Sequence, residues 1–351
     1  MGICVSTASS EIHDQVDNGQ ENVIFVEGNI VSHGVKKLCS LYSKQGSKGL
    51  NQDAGILCQG YGTEDGEFCG VFDGHGKHGH VVSELVRNRL PSLILSQKNA
   101  LSNSNVKANG EVMMPSIDFY KWQEACVKAF KVMDKEVKLQ ENLDCFCSGT
   151  TAVVVIRQGE DLVIANLGDS RAVLGTVSDN GELKAVQLTT DLKPSLPSEA
   201  ERIKQCRGRV LALKEEPHIQ RVWLPHEDTP GLAMSRAFGD FLLKNHGIIA
   251  IPDVSYRRLT SNDQFILLAT DGVLDVLSSN QVATIVWEAD NKQEAARKVV
   301  EAANAAWKKK FPSSKMDDCT VVCLFLQKSL NIQHCLRKGS QTAGALVDEP
   351  L

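Results

Sequence analysis

Apolar runs stop abruptly in acids at Asp73-Gly74-His75-Gly76, Gly168-Asp169-Ser170, Thr270-Asp271-Gly272 and Asp317-Asp318. A strand that ends this way delivers a carboxylate to the rim of a sheet, and a neighbouring glycine lets the backbone approach a metal or an oxyanion closely. One such cluster reads equally well as a strand followed by a turn. Clusters this far apart in sequence, all flanked by small residues, point to one shared metal centre. Magnesium and manganese take oxygen ligands, and magnesium keeps several waters beside a few carboxylates. Asp73, Asp271 and Asp317 supply such a set, and no His/Cys constellation competes. Without a cation, clustered carboxylates repel and take up protons. Two metals roughly 3.5–4 Å apart can share a bridging water, lower its pKa and stabilise in-line displacement at phosphorus. A nearby histidine can protonate the leaving oxygen, and a nearby cation can hold the phosphoryl group. The chemistry indicated is metal-assisted phosphoester hydrolysis, with the ester unspecified.

These acids need a scaffold. Strands over 54–61 and 67–72, joined by a polar tip at 62–66, read as a hairpin leading into Asp73. A helix follows over 79–97, with Val82, Leu85, Val86, Leu90 and Leu93 on one face and Pro91 marking a kink or an end. Residues 99–115 read as a surface loop. Trp122, Cys126, Ala129, Phe130, Met133 and Val137 make an apolar stripe on a helix over 118–140. Four short strands over 150–156, 161–166, 171–177 and 182–188 read as one antiparallel meander. Ser198 and Glu201 suggest a capped helix over 198–206. An irregular flap around Trp223 spans 218–231, and 234–244 reads as partly helical. A buried strand over 264–269 leads into Asp271. Helices follow over 279–289 and 291–309, and a strand over 319–327 starts behind Asp317. Strands in blocks, with helices gathered between them, indicate an α+β fold of antiparallel sheets flanked by helices, not a doubly wound parallel sheet.

A net charge of −5 argues against nucleic acid as a partner. No apolar stretch approaches the roughly 20 residues of a membrane-spanning helix, and no secretory signal is visible. The cysteines number 11, an odd count, and several lie within apolar runs (Cys58, Cys69, Cys319, Cys323). They read as reduced thiols of a cytosolic protein. Met1-Gly2-Ile3-Cys4-Val5-Ser6 fits N-myristoylation at Gly2. One acyl chain anchors only marginally, so palmitoylation of Cys4 is the expected second signal. The expected location is the plasma membrane, the cytoplasm or both, with nuclear entry open. Residues 5–30 are polar, and little order is expected there.

In sequence order, the motifs are Lys48-Gly49-Leu50-Asn51-Gln52-Asp53, Phe72-Asp73-Gly74-His75-Gly76, Ser148-Gly149-Thr150-Thr151-Ala152, Gly168-Asp169-Ser170-Arg171, Leu232 to Asp240, Ala269 to Asp275, and Asp317-Asp318-Cys319-Thr320. Together they resemble the metal-dependent Ser/Thr protein phosphatases of type 2C, and Asp191-Leu192-Lys193-Pro194 with Arg221-Val222-Trp223 gives the look of a plant member. The resemblance implies a four-layer sandwich of two packed antiparallel β-sheets, flanked on each side by α-helices. It implies a catalytic domain over 35–327, an acylatable and mostly disordered segment over 1–34, and a disordered tail over 328–351. It implies two Mg²⁺ or Mn²⁺ ions held by Asp73, the Gly74 carbonyl, Asp271 and Asp317, with Asp53 acting through bound waters. Asp169, Asp271 and Asp275 match a weaker third metal position. The implied reaction is hydrolysis of phosphoserine and phosphothreonine in proteins by a metal-bridging hydroxide, with His75 as general acid, in negative regulation of kinase signalling. The implied partners are phosphorylated proteins, met by a monomer.

Lys48 departs from the arginine that many members place there to grip the substrate phosphate. Lysine is a point charge and cannot reproduce a bidentate fork, which predicts weaker phosphate binding. Arg236 and Asp240 resemble residues that anchor the flap, and Trp223 is expected to pack. A catalytically silent binding module is the alternative. It would lack a metal acid, and none of Asp73, Asp271 and Asp317 is missing.

Overall fold

The computed structural model describes residues 22–27, 38–103 and 117–326. In chain order its elements are β1 (Val23–Val26), β2 (Cys39–Lys44), β3 (Asp53–Gln59), β4 (Glu67–His75), α1 (Gly79–Asn103), α2 (Ile117–Lys138), β5 (Gly149–Thr150), β6 (Ala152–Gln158), β7 (Asp161–Leu167), β8 (Arg171–Val177), β9 (Leu183–Gln187), α3 (Pro197–Gln205), β10 (Arg209–Ala212), β11 (Gln220–Trp223), β12 (Pro230–Leu232), β13 (Phe238–Gly239), β14 (Asp253–Arg258), β15 (Asp263–Ala269), α4 (Asp271–Leu274), α5 (Ser279–Glu288), α6 (Ala295–Lys310) and β16 (Cys319–Phe325).

Alternation along the central strands sets the layers. On β4, Phe68 and Phe72 face the helices α1 and α2, while Cys69 and Val71 face a second sheet. On β15, Ile266 and Leu268 point back at Val71 and Val153, and Phe265, Leu267 and Ala269 meet α5 and α6. Successive side chains leave opposite faces of a strand, and here both faces are buried. These strands therefore read as continuous apolar runs rather than alternating ones. One sheet has the order β1-β3-β4-β6-β7-β14 with β5 and β13 attached at the end of β4; the other has the order β2-β16-β15-β8-β9. Helices cover both outer faces, so the expected α+β sandwich is the architecture.

Several expectations change. Val23–Val26 pairs with β3, in parallel, inside a region where little order was expected. Pro91 lies within α1 and does not end it. Leu90, Leu93 and Ile94 are buried there, at roughly 1.5–3 kcal/mol each, which outweighs a proline cost of about 3 kcal/mol. The meander over 150–188 is two hairpins in different sheets: β6 and β7 belong to one, β8 and β9 to the other. The Gly168-Asp169-Ser170 link crosses between them. Helix α3 starts at Pro197 behind Leu196 with no side-chain cap, so Ser198 lies inside it. The stretch 234–244 carries β13, because β5 recruits Phe238 and Gly239, and its helical part is only the 3₁₀ turn Lys244–His246 that begins at its end. The flap is not irregular: β10, β11 and β12 form a small antiparallel sheet. Trp223 packs within it and donates from Nε1 to the Leu211 carbonyl at 3.0 Å.

Candidate metal centre

The acids converge at one end of the sandwich. Asp53 opens β3 directly opposite Asp73 of β4. The strand does not stop at Asp73, since Gly74 and His75 continue β4 by pairing with Thr150 and Gly149 of β5. Thr151 fixes Asp73 at both backbone groups: its hydroxyl accepts from the Asp73 N–H at 3.0 Å, and its own N–H donates to the Asp73 carbonyl at 2.9 Å. Asp271 follows β15 at the first position of α4, and Asp317 precedes β16. Asp53 is buried and accepts from the Thr270 hydroxyl at 2.8 Å.

Helix α4 comes unusually close to the start of β16. A Cβ on Gly272 would lie 1.8 Å from the Asp318 carbonyl oxygen, so only glycine lets Asp271 stand beside Asp317. Asp318, absent from the expected site, has a supporting task. Its two carboxylate oxygens accept from the Gly46 and Gln52 N–H groups, each at 2.8 Å. That clamps the loop carrying Lys48, whose ammonium is bonded to Asp317.

The electrostatics are those of crowded carboxylates. Burial and then Asp271, Asp53, Asp317 and Asp169 push Asp73 well above the usual carboxylate range. Burial and then Asp169, Asp317 and Asp275 do the same to Asp271. Burial and Asp318 raise Asp53 to about 8, against the opposing bonds from Thr270 and Thr320. Burial lowers the Lys48 ammonium, but Asp317, Asp271 and Asp73 outweigh it and raise the group. Among the described residues, no group of three or more His, Cys, Asp or Glu side chains is already closed into a coordinating cluster. The donors nevertheless fit a hard, largely hydrated cation. They are all oxygen, they repel one another, and the buried Asp169 keeps Oδ1 without a partner.

His75 lies beside this cluster. Its Nε2 is 2.7 Å from Asp240 Oδ2, and its Nδ1 is buried without a partner. Burial lowers the imidazole, but Asp240 and then Asp169 outweigh it, so His75 is held above its ordinary value. Asp240 therefore serves His75 rather than the flap. Gly149 makes room for the pair, since a Cβ there would meet Asp240 Oδ2 at 2.5 Å and His75 Nε2 at 2.9 Å. Arg236, expected to anchor the flap, binds a partner the sequence did not suggest, Glu199 of α3. Burial would raise Glu199, but bonds from Arg236, Arg202 and Ser235 hold it at about 2.

The structure thus brings Asp53, Asp73, Asp169, Asp271, Asp317 and Lys48 into electrostatic contact. Asp275, which is exposed, joins through Lys193. Gly2 and Cys4 lie outside the described residues.

Comparisons with known proteins bear on the family and the fold. Residues 39–309 match the family model described as protein phosphatase 2C. The chain is 54% identical over 336 residues to a protein of Arabidopsis thaliana named probable protein phosphatase 2C 72, covering 93% of this chain and 98% of that one. It is 51% identical to a rice protein named probable protein phosphatase 2C 12, covering 93% and 92%. A crystal structure of serine-threonine phosphatase 2C from Toxoplasma gondii superposes with a TM-score of 0.73 at 26% identity, over 84% of this chain and 96% of that one. The fold, the run of motifs along it and two relatives matched over more than nine-tenths of either chain have one explanation: this chain belongs to the protein phosphatase 2C family.

Proposed function

We propose that the chain hydrolyses phosphoserine and phosphothreonine esters of proteins at the acid cluster, with Mg²⁺ or Mn²⁺ as its cofactor, and so acts against kinase signalling. The observation that carries this is the set of aspartates gathered at one end of the sandwich, where burial and then their neighbours raise Asp73 and Asp271. Asp73, the Gly74 carbonyl, Asp271 and Asp317 would hold two ions, and Asp53 would hold their waters. When bound, such ions supply a nucleophilic water and offset charge on the phosphoryl oxygens. His75 supplies the proton. Its Nε2 is held by Asp240 at 2.7 Å. Asp240 keeps the ring oriented and charged for that transfer.

The experiment is turnover of a phosphothreonine peptide with Mn²⁺ or Mg²⁺ and with chelator. Turnover that requires the metal is expected. Folded, metal-loaded protein without turnover would favour the catalytically silent module instead.

Lys48 is assigned to the substrate phosphate. It sits on the loop clamped by Asp318 and presents one ammonium to the cluster. Lys48→Arg supplies a fork that binds two phosphate oxygens at once. The expected result is a KM for the peptide lower by about fivefold, on the order of 1 kcal/mol. An unchanged or higher KM removes Lys48 from that role.

A further inference from the structure

Asp240 holds His75, and its own backbone is unusual. Gly239 and Asp240 both take the left-handed conformation, at φ 77° and 51°. Glycine does this freely. A residue with a side chain does it at a cost, and persists there only where its surroundings impose it. The local chain supplies part of that constraint. The Asp240 N–H donates to the Ser148 carbonyl at 3.0 Å, and the Asp240 carbonyl accepts from the Leu243 N–H at 2.9 Å. Helix α2 supplies the rest. Phe130 and Asp134 stand four residues apart on it and so share a face. The Phe130 ring meets Phe238 at 5.1 Å between centroids. Asp134 Oδ1 accepts from the Gly239 N–H and from Lys244 Nζ, each at 3.0 Å. The same ammonium donates to the Ala237 carbonyl at 2.8 Å. One ion pair thus grips the chain on both sides of Asp240.

As a stabiliser this pair is poorly placed. Each side chain is only 18% exposed. Burial raises the Asp134 carboxyl and lowers the Lys244 ammonium from their ordinary values, and their pairing does not restore either. Desolvation on that scale offsets the attraction between them, so stability does not account for the pair. We propose that Asp134 and Lys244 are positioning residues that clamp the left-handed turn at Asp240 and thereby hold the His75 ring where it reaches the departing oxygen. The proposal rests on the reading of His75 as the proton donor and extends it to a pair anchored on α2.

The test compares two phosphate monoesters on the Mn²⁺-loaded full chain. The threonine oxygen of a phosphopeptide needs a proton as it departs, whereas p-nitrophenolate leaves as a stable anion and does not. His75→Asn is expected to lose about 10²-fold in kcat on the peptide and less than about threefold on p-nitrophenyl phosphate. Asp134→Ala is expected to lose about tenfold on the peptide, with the aryl ester and the KM for the peptide nearly unchanged. Asp134→Leu/Lys244→Met removes both charges together and leaves no lone buried ion. It is expected to show the same split, and it answers for the alanine variant if that one folds poorly. Equal losses on the two esters in the Asp134 variants, or no loss on either, while His75→Asn shows the split, overturn the proposal and leave His75 as the donor. A His75→Asn variant without the split overturns both.

Discussion

Asp271→Asn is expected to lower metal-dependent turnover of a phosphothreonine peptide by on the order of 10³-fold, about 4 kcal/mol of transition-state stabilisation, while the protein stays folded. The asparagine has the same shape and removes one charge from a cluster where charge is the cost of folding. Asp271 is held well above the usual carboxylate range by burial and then by Asp169, Asp317 and Asp275. A group raised in the folded state stabilises it fully below the unfolded value near 3.8, and that contribution is lost as pH rises through the folded value. Chelated native protein should therefore melt at lower temperature as pH climbs from about 4 towards 8, the value to which Asp53 is raised. Asp271→Asn should show a flatter profile in chelator and a smaller gain on adding Mn²⁺. Retention of more than about a tenth of native turnover would remove Asp271 from the centre.

The acids were legible because a buried strand that ends in a carboxylate breaks the apolar pattern at one point. Asp73, Asp169 and Asp271 announced themselves that way. What their surroundings do was not legible, because it depends on pairings between distant segments. Glu199 looks like an ordinary first-turn acid of α3, yet it binds Arg236 at 2.7 Å across 37 residues of sequence. Asp240 sits in a motif that suggested the flap, and its partner proves to be His75. Lys193 reads as a loop lysine until the crossing between sheets puts Asp169 beneath it. The same crossing explains why strands over 150–188 looked like one meander. Local turn signals specify a hairpin, and they do not say which sheet receives the next one. Pro91 shows the limit from the other side, since a breaker read from local geometry lost to burial of the helix face around it.

Gly272→Ala tests whether the close approach of α4 to β16 is what assembles the acids. Its Cβ would lie 1.8 Å from the Asp318 carbonyl oxygen and 3.2 Å from Asp317 Cβ. The nearest obstacle is backbone, not the end of a flexible side chain, so one of the two elements has to move. Neither moves freely. The Gly272 carbonyl accepts from Trp307 Nε1 of α6 at 2.6 Å and faces Cys319 Sγ at 3.3 Å. On the other side, Asp318 is committed to the Gly46 and Gln52 N–H groups. Overpacking of this kind costs about 3 kcal/mol or more, which lowers Tm on the order of 5–10 °C. The shift also parts Asp271 from Asp317, so Mn²⁺ affinity should weaken by at least about tenfold even at temperatures where the variant is folded. The two readouts separate a general loss of packing from a specific loss of the site. A variant that melts early but binds Mn²⁺ normally would mean that the acids are placed by the strands alone. A variant unchanged in both would mean that α4 and β16 do not approach as closely as the 1.8 Å contact requires.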